Sequence, residues 1–130
     1  MTNELILIVE DDAESRMLER DILTYSGYRV LEAETAEAGL KLAREARPAL
    51  ILMDIRLPGM DGIAALRELR AEPATCDVPV IAVTASTMSQ HRSQIVAAGF
   101  SGYHSKPIDI VELVASIRDV LARVPGATTP

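Results

Sequence analysis

Residues 50–62 read Leu-Ile-Leu-Met-Asp-Ile-Arg-Leu-Pro-Gly-Met-Asp-Gly, and this stretch is the most informative about the fold. Its opening run is entirely apolar, as is typical of a short strand buried on both faces of a parallel sheet. Asp54 follows that strand directly, and Gly59 and Gly62 suit a turn. Asp61 precedes Gly62 as a helix N-cap. The stretch therefore predicts a strand, a carboxylate at its carboxyl end, a turn and the start of a helix.

Further short apolar runs flank this central strand on both sides in the sequence. They are Leu5–Val9, Arg29–Glu32, Pro79–Val83 and Gly102–Ser105. The segments between them have helical patterns, and the last segment has apolar residues at positions 110, 113, 114, 117, 121 and 124. Strand and helix thus alternate five times, which predicts an α/β fold with a parallel sheet and helices on both of its faces.

Composition limits the classes of function. The chain has 130 residues, 48% of them hydrophobic and 25% charged, as expected for one soluble globular domain. Its net charge of −6 and its few aromatic residues argue against direct nucleic-acid binding. Cys76 is the single cysteine, and no apolar run is long enough for a membrane span. We expect a cytoplasmic domain over residues 1–124, with residues 125–130 as a disordered tail or the start of a linker.

Polar residues stand at the carboxyl ends of the predicted strands, where parallel strands share one edge of a sheet. These residues are Glu10, Asp11, Asp12, Asp54, Thr84 and Lys106. Clustered carboxylates repel one another and need a cation, and oxygen ligands without thiolate or imidazole favour Mg²⁺. A carboxylate nucleophile, a divalent ion, a lysine and a hydroxyl together suit phosphoryl transfer. Asp54 is the predicted nucleophile because it follows the central strand.

Four motifs follow one another along the chain. They are Leu-Ile-Val-Glu-Asp-Asp (7–12), residues 50–62, Val-Ile-Ala-Val-Thr-Ala (80–85) and Gly-Tyr-His-Ser-Lys-Pro-Ile (102–108). Together they make the chain resemble the receiver domains of bacterial response regulators over residues 4–124. The resemblance implies a flavodoxin-like, doubly wound sheet of five parallel strands in the order 2-1-3-4-5 with five helices. Each motif alone is only suggestive, whereas all four in this order are specific.

The resemblance also implies a role for each matching residue of the acidic site. Asp54 matches the aspartate that accepts the phosphoryl group. Glu10 and Asp11 match the acidic pair that binds Mg²⁺, for which Mn²⁺ can substitute, and the backbone carbonyl of Arg56 matches a further metal ligand. Glu10 stands where many members of the family have Asp, so its carboxylate has a longer reach to the ion.

Other matching residues imply a conformational switch. Lys106 matches the lysine of the family pattern, and its bond to Pro107 is expected to be cis. Thr84 matches the switch hydroxyl, which moves toward the phosphoryl oxygens, and Tyr103 matches the switch aromatic, which turns into the vacated space. The face formed by the fourth helix, fifth strand and fifth helix then changes shape for a partner.

The function implied is that of a receiver in two-component signalling or a phosphorelay. Its phosphodonor would be a histidine kinase or phosphotransfer protein, and its output would be the binding of a downstream protein target. Such a domain assists its own phosphorylation and dephosphorylation but is not a conventional enzyme.

We considered three alternatives to this interpretation. Phosphatases of the haloacid-dehalogenase type carry an Asp-x-Asp motif. Here Asp54 is followed by Ile55 and Arg56, so the second aspartate of that motif is missing. A flavodoxin-like cofactor binder needs a loop rich in Ser, Thr and Gly after its first strand, and the acidic residues 10–14 would repel a phosphate. A receiver-like domain that binds its partner without phosphate stays open, although Asp54 and Lys106 argue against it.

Overall fold

A sheet of parallel strands forms the centre of the computed structural model, which describes residues 3–85 and 89–123, with side chains given for all of these except 89–92 and 96. The strands in this part of the chain are β1 (Leu5–Val9), β2 (Arg29–Ala33), β3 (Leu50–Met53), β4 (Val80–Thr84) and β5 (Gly102–Ser105). They lie in the order β2-β1-β3-β4-β5, and every neighbouring pair is parallel. The predicted fold and strand order are confirmed.

Helices connect the strands in the predicted alternation. They are α1 (Ala13–Tyr25), α2 (Ala36–Ala46), α3 (Gly62–Ala71), α4 (Ser89–Ala98) and α5 (Ile110–Arg123). No helix within the described residues is long and apolar enough to cross a membrane. Residues 124–130, which include the expected tail, lie outside the described residues.

Strands β2 and β4 differ by one residue from the sequence prediction. β2 continues to Ala33, which pairs with Val9 and accepts a hydrogen bond from the backbone of Glu10. β4 begins at Val80 because Pro79 has no N–H to donate to the ladder. β4 also includes Thr84, which pairs with Ser105. Thr84 is therefore the last residue of its strand and not the residue after it.

The two faces of the sheet bury separate apolar clusters, because successive strand side chains point to opposite faces. Leu7, Ile51 and Ala82 pack on the face covered by α2, α3 and α4. Ile8, Leu52 and Val83 pack on the opposite face with residues of α1 and α5. This packing holds the carboxyl ends of β1, β3 and β4 side by side at one edge.

Helix caps set the positions of the helices that start near this edge. The side chain of Asp12 accepts a hydrogen bond from the Ser15 N–H at 2.9 Å, and that of Asp61 accepts one from the Ala64 N–H at 2.8 Å. Asp12 and Asp61 are thus the N-caps of α1 and α3, and the cap at Asp61 is the one that the sequence predicted.

Candidate functional site

Three carboxylates meet at the carboxyl ends of β1 and β3. Glu10 and Asp11 follow β1, and Asp54 follows β3, which is the neighbour of β1 in the sheet. One carboxylate oxygen from each residue lies within 4.8 Å of the others. Glu10 and Asp54 are only 1% and 6% exposed, whereas Asp11 is open to solvent. The group is therefore buried on one side and accessible on the other.

Lys106 supplies the positive charge at this cluster. Its Nζ lies 2.6 Å from Glu10 Oε1 and 3.3 Å from Asp54 Oδ2. The residue directly follows β5, its backbone N–H donates to the carbonyl of Thr84 at 2.9 Å, and its bond to Pro107 is cis. Burial by itself would lower the pKa of Lys106, but the hydrogen bond to Glu10 and the charge of Asp54 outweigh it and raise that pKa. The lysine is therefore charged at any physiological pH.

The surroundings of Glu10 disfavour the charged form of its carboxyl group. Burial raises its pKa to about 7, an effect that the hydrogen bond to Lys106 opposes and the neighbouring Asp54 reinforces. One lysine thus compensates only part of the repulsion among the three carboxylates. A small divalent cation fits the donor set, since all its ligand atoms are hard oxygens and one side is open.

The main chain around Asp54 holds this carboxylate in place. The Arg56 N–H donates to Asp54 Oδ1 at 3.0 Å, and the Asp54 N–H donates to the Val9 carbonyl at 3.0 Å. The start of α3 approaches so closely that a Cβ on Gly62 would lie 2.6 Å from the Asp54 carbonyl oxygen. Only glycine fits there without displacing the backbone of Asp54.

The two residues expected to form the switch lie on neighbouring strands. Thr84 is fully buried at the end of β4. Tyr103 is half-buried on β5, where it pairs with Ala82 and packs against the cluster on the α2–α4 face. A cavity of about 180 Å³ lies beside Thr84 and is also lined by Ile55 and Ile95. Tyr103 thus lies on the strand next to that of Thr84.

The structure brings Glu10, Asp11, Asp54 and Lys106 together as the sequence predicted. Arg56 adjoins them through its main chain, and the carbonyl of Thr84 holds Lys106. Tyr103 lies farther from the carboxylates, three residues before Lys106 along β5.

Sequence reasoning missed two residues of α1 beside the site. Glu19 is 1% exposed, and its Oε2 has no hydrogen-bond partner among the residues that the structure describes. Burial, with the charge of Glu10 second, raises the pKa of Glu19 to about 8. Arg16 donates from Nη1 to the backbone carbonyl of Glu10 at 2.9 Å. The position of Glu19, at helical spacing from the buried Ile22 and Leu23, would have predicted its burial, whereas nothing in the sequence indicates the contact of Arg16.

Known proteins are similar to this chain over most of its length. The family model for the response regulator receiver domain matches residues 6–118. The polar-differentiation response regulator DivK of Brucella anthropi is 38% identical over 116 residues, which are 89% of this chain and 94% of DivK. The KDP operon transcriptional regulatory protein KdpE of Escherichia coli is 42% identical over the whole chain, which spans 56% of KdpE.

A solved structure extends this similarity to the fold. The receiver domain of sensor histidine kinase PA1611 from Pseudomonas aeruginosa, which has a magnesium ion coordinated in its active site cleft, is 35% identical. It aligns with a TM-score of 0.82 over 95% of this chain and 98% of that domain.

Proposed function

Because the chain belongs to the response regulator receiver domain family of two-component signalling, we propose that Asp54 accepts a phosphoryl group in a Mg²⁺-dependent reaction. The donor would be a phosphohistidine on a histidine kinase or phosphotransfer protein. The position of Asp54 carries the proposal. Asp54 directly follows the central strand, and its carboxylate lies beside two other carboxylates and the ammonium of Lys106.

In the proposed step, an Asp54 carboxylate oxygen attacks the phosphorus of the donor. A P–O bond forms, the P–N bond to the donor imidazole breaks, and the imidazole leaves with the electron pair. The hydrogen bonds from Arg56 and Lys106 hold the carboxylate in place before attack. Lys106 then exchanges its contact with Asp54 for one with a phosphoryl oxygen, since the phosphorylated carboxylate has lost its negative charge.

The residues that would hold Mg²⁺, or Mn²⁺ in its place, are Glu10, Asp11, Asp54 and the backbone carbonyl of Arg56. When bound, the ion supplies positive charge to the phosphoryl oxygens during transfer. The donor set supports this assignment because its three carboxylates converge and are only partly neutralised by Lys106.

The domain would act as a phosphoacceptor and not as an enzyme with a free substrate. It would promote its own phosphorylation and, slowly, the hydrolysis of its acyl phosphate. Its partners would be proteins: the phosphodonor and a downstream target. We propose that the receiver domain comprises residues 1–124 and that it functions in the cytoplasm.

Phosphorylation would change the face formed by α4, β5 and α5 through Thr84 and Tyr103. The Thr84 hydroxyl would turn toward the phosphoryl group, and the Tyr103 ring, on the neighbouring strand, would enter the space that the hydroxyl leaves. An NMR spectrum of ring-labelled tyrosine tests this step, with the stable phosphoryl mimic beryllofluoride as the ligand. The Tyr103 signal, assigned with Tyr103→Phe, should shift in the wild type and not in Thr84→Ala; an unmoved signal in both would contradict the switch.

Intact mass after incubation with acetyl phosphate tests the phosphoacceptor itself. The wild type should gain one phosphoryl group with Mg²⁺ and none with a chelator, and Asp54→Asn should gain none because an amide is not an anionic nucleophile. Asp61→Asn is the matched control: it makes the same change on the exposed cap of α3, where Asn caps equally well. Uptake by Asp54→Asn equal to that of the control would refute the assignment.

A further inference from the structure

We propose that Arg16 is a positioning residue that fixes the main chain of the acidic pair Glu10 and Asp11 for metal binding. This inference rests on the proposed function, since it concerns the same cation site. It assigns to α1 a direct part in preparing that site.

The guanidinium of Arg16 connects three parts of the chain. Nη1 donates to the Glu10 carbonyl at 2.9 Å, Nε lies 3.4 Å from Glu32 on β2, and Nη2 lies 3.9 Å from Glu34 just after β2. The Arg16 side chain is only 17% exposed. Because its donors are spread over three nitrogens of one planar group, the guanidinium can hydrogen-bond the Glu10 carbonyl while its other nitrogens stay beside the two carboxylates.

The carbonyl that Arg16 binds belongs to the peptide unit joining Glu10 to Asp11. Because this unit is planar, fixing its oxygen also fixes the orientation of the Asp11 backbone. The remaining groups of Glu10 already have partners: its N–H donates to Ala33, Oε1 accepts from Lys106 and Oε2 accepts from the Asp12 N–H. Arg16 therefore completes the set of contacts that holds the acidic pair before any ion arrives.

The sign of the effect separates positioning from simple electrostatics. A guanidinium beside a cation site repels a divalent ion, so its removal should strengthen metal binding if charge alone matters. If Arg16 holds the ligands in place, its removal should weaken binding, because the pair must then be ordered when the ion binds.

Arg20 provides a matched control on the same helix. It lies one turn further along α1, carries the same charge, and forms an ion pair with the same Glu32 at 3.7 Å. Its hydrogen bonds go to Asp21 and not to Glu10. Arg20→Ala thus removes the same charge and a similar ion pair without releasing the Glu10 carbonyl.

Calorimetric titration with Mg²⁺ compares the wild type, Arg16→Ala, Arg16→Lys and Arg20→Ala. We expect Arg16→Ala to bind Mg²⁺ about tenfold more weakly, the usual size for loss of an outer-shell partner, and Arg20→Ala to stay within about twofold of the wild type. Arg16→Lys should recover part of the loss, since its single ammonium can still reach one acceptor. If Arg16→Ala does not fold, Arg16→Lys against Arg20→Lys makes the same comparison.

A second measurement needs no metal. The Asp12 amide donates to Glu10 Oε2, so hydrogen exchange at Asp12, measured in the presence of a chelator, reports the order of the acidic pair. It should be faster in Arg16→Ala than in Arg20→Ala, by about tenfold.

This inference would be overturned if Arg16→Ala and Arg20→Ala had equal Mg²⁺ affinity and equal hydrogen exchange at Asp12. The proposed function would stay intact in that case, provided that the wild type binds Mg²⁺ and is phosphorylated. If the wild type bound no Mg²⁺, the proposed metal site would fail instead, and the metal-free exchange rates would still decide the role of Arg16.

Discussion

Glu19 should make the stability of the fold fall as the pH rises, and Glu19→Gln should remove that dependence. The carboxyl lies in the interior of the protein, where one of its oxygens has no hydrogen-bond partner in the described part of the chain, and burial raises its pKa from 4.5 to about 8. Between these values the folded chain holds a proton that the unfolded chain has released. Raising the pH across this window therefore favours unfolding. The amide of Gln keeps the shape of the protonated acid and does not titrate.

The pKa difference sets the size of the effect. Where the unfolded chain has lost the proton and the folded chain keeps it, each pH unit costs about 1.4 kcal/mol of folding free energy. Between pH 5.5 and 7.5, Glu19 should therefore lower the free energy of unfolding by about 2.5 kcal/mol. Glu10 also titrates in this range, but it is present in both proteins, so the difference between them reports Glu19 together with its interaction with Glu10.

Urea unfolding at pH 5.5 and 7.5, followed by circular dichroism in the presence of a chelator, measures this difference. The advantage of Glu19→Gln over the wild type should grow by about 2.5 kcal/mol from the lower to the higher pH. Glu45→Gln, an equivalent change at an exposed site on α2, should alter stability by less than about 0.5 kcal/mol at either pH. Parallel pH profiles for Glu19→Gln and the wild type would refute the reasoning.

Two further predictions concern the surroundings of Asp54. Lys106→Ala should still take up some phosphoryl group from acetyl phosphate but lose the Tyr103 response to beryllofluoride, because the ammonium that joins the end of β5 to Asp54 is gone; a full NMR response in this variant would disprove the coupling. Gly62→Ala should destabilise the fold by about 2 kcal/mol in urea unfolding and slow phosphoryl uptake, since its Cβ would lie 2.6 Å from the Asp54 carbonyl. Gly59→Ala is the control, because its added Cβ would lie 3.7 Å from Glu37, an ordinary contact. It should cost about 1 kcal/mol of stability from the positive φ of Gly59 and leave phosphoryl uptake intact. Equal uptake by both glycine variants would contradict the positioning of Asp54 by α3.

Much of the fold and the acidic cluster was predictable because the information is local. The apolar run of residues 50–53 indicates a buried strand, and the residue after a parallel strand must lie at the shared edge. The same rule brought Glu10, Asp11, Asp54 and Lys106 together from positions up to 96 residues apart. Strand ends were less predictable, since the pairing of Thr84 with Ser105 depends on the neighbouring strand.

Contacts that depend on three-dimensional distance were not predictable. Nothing in the sequence indicates that Lys106 lies closer to Glu10 than to Asp54, at 2.6 Å against 3.3 Å. The contact of Arg16 with a backbone carbonyl likewise depends on the angle at which α1 crosses β1. Glu19 shows a different limit: a helical pattern indicates which face is buried, but it does not reveal that one oxygen of a carboxyl on that face lacks a hydrogen-bond partner among the described residues.

The most direct test of the central claim is to locate the phosphoryl group in the wild-type protein. Borohydride reduces an aspartyl phosphate to homoserine, which sequencing of peptides by mass spectrometry identifies after incubation with acetyl phosphate and Mg²⁺. The structure predicts homoserine at position 54 and none when a chelator replaces Mg²⁺. Homoserine at another aspartate, such as Asp11 or Asp61, with Asp54 unchanged would contradict the account.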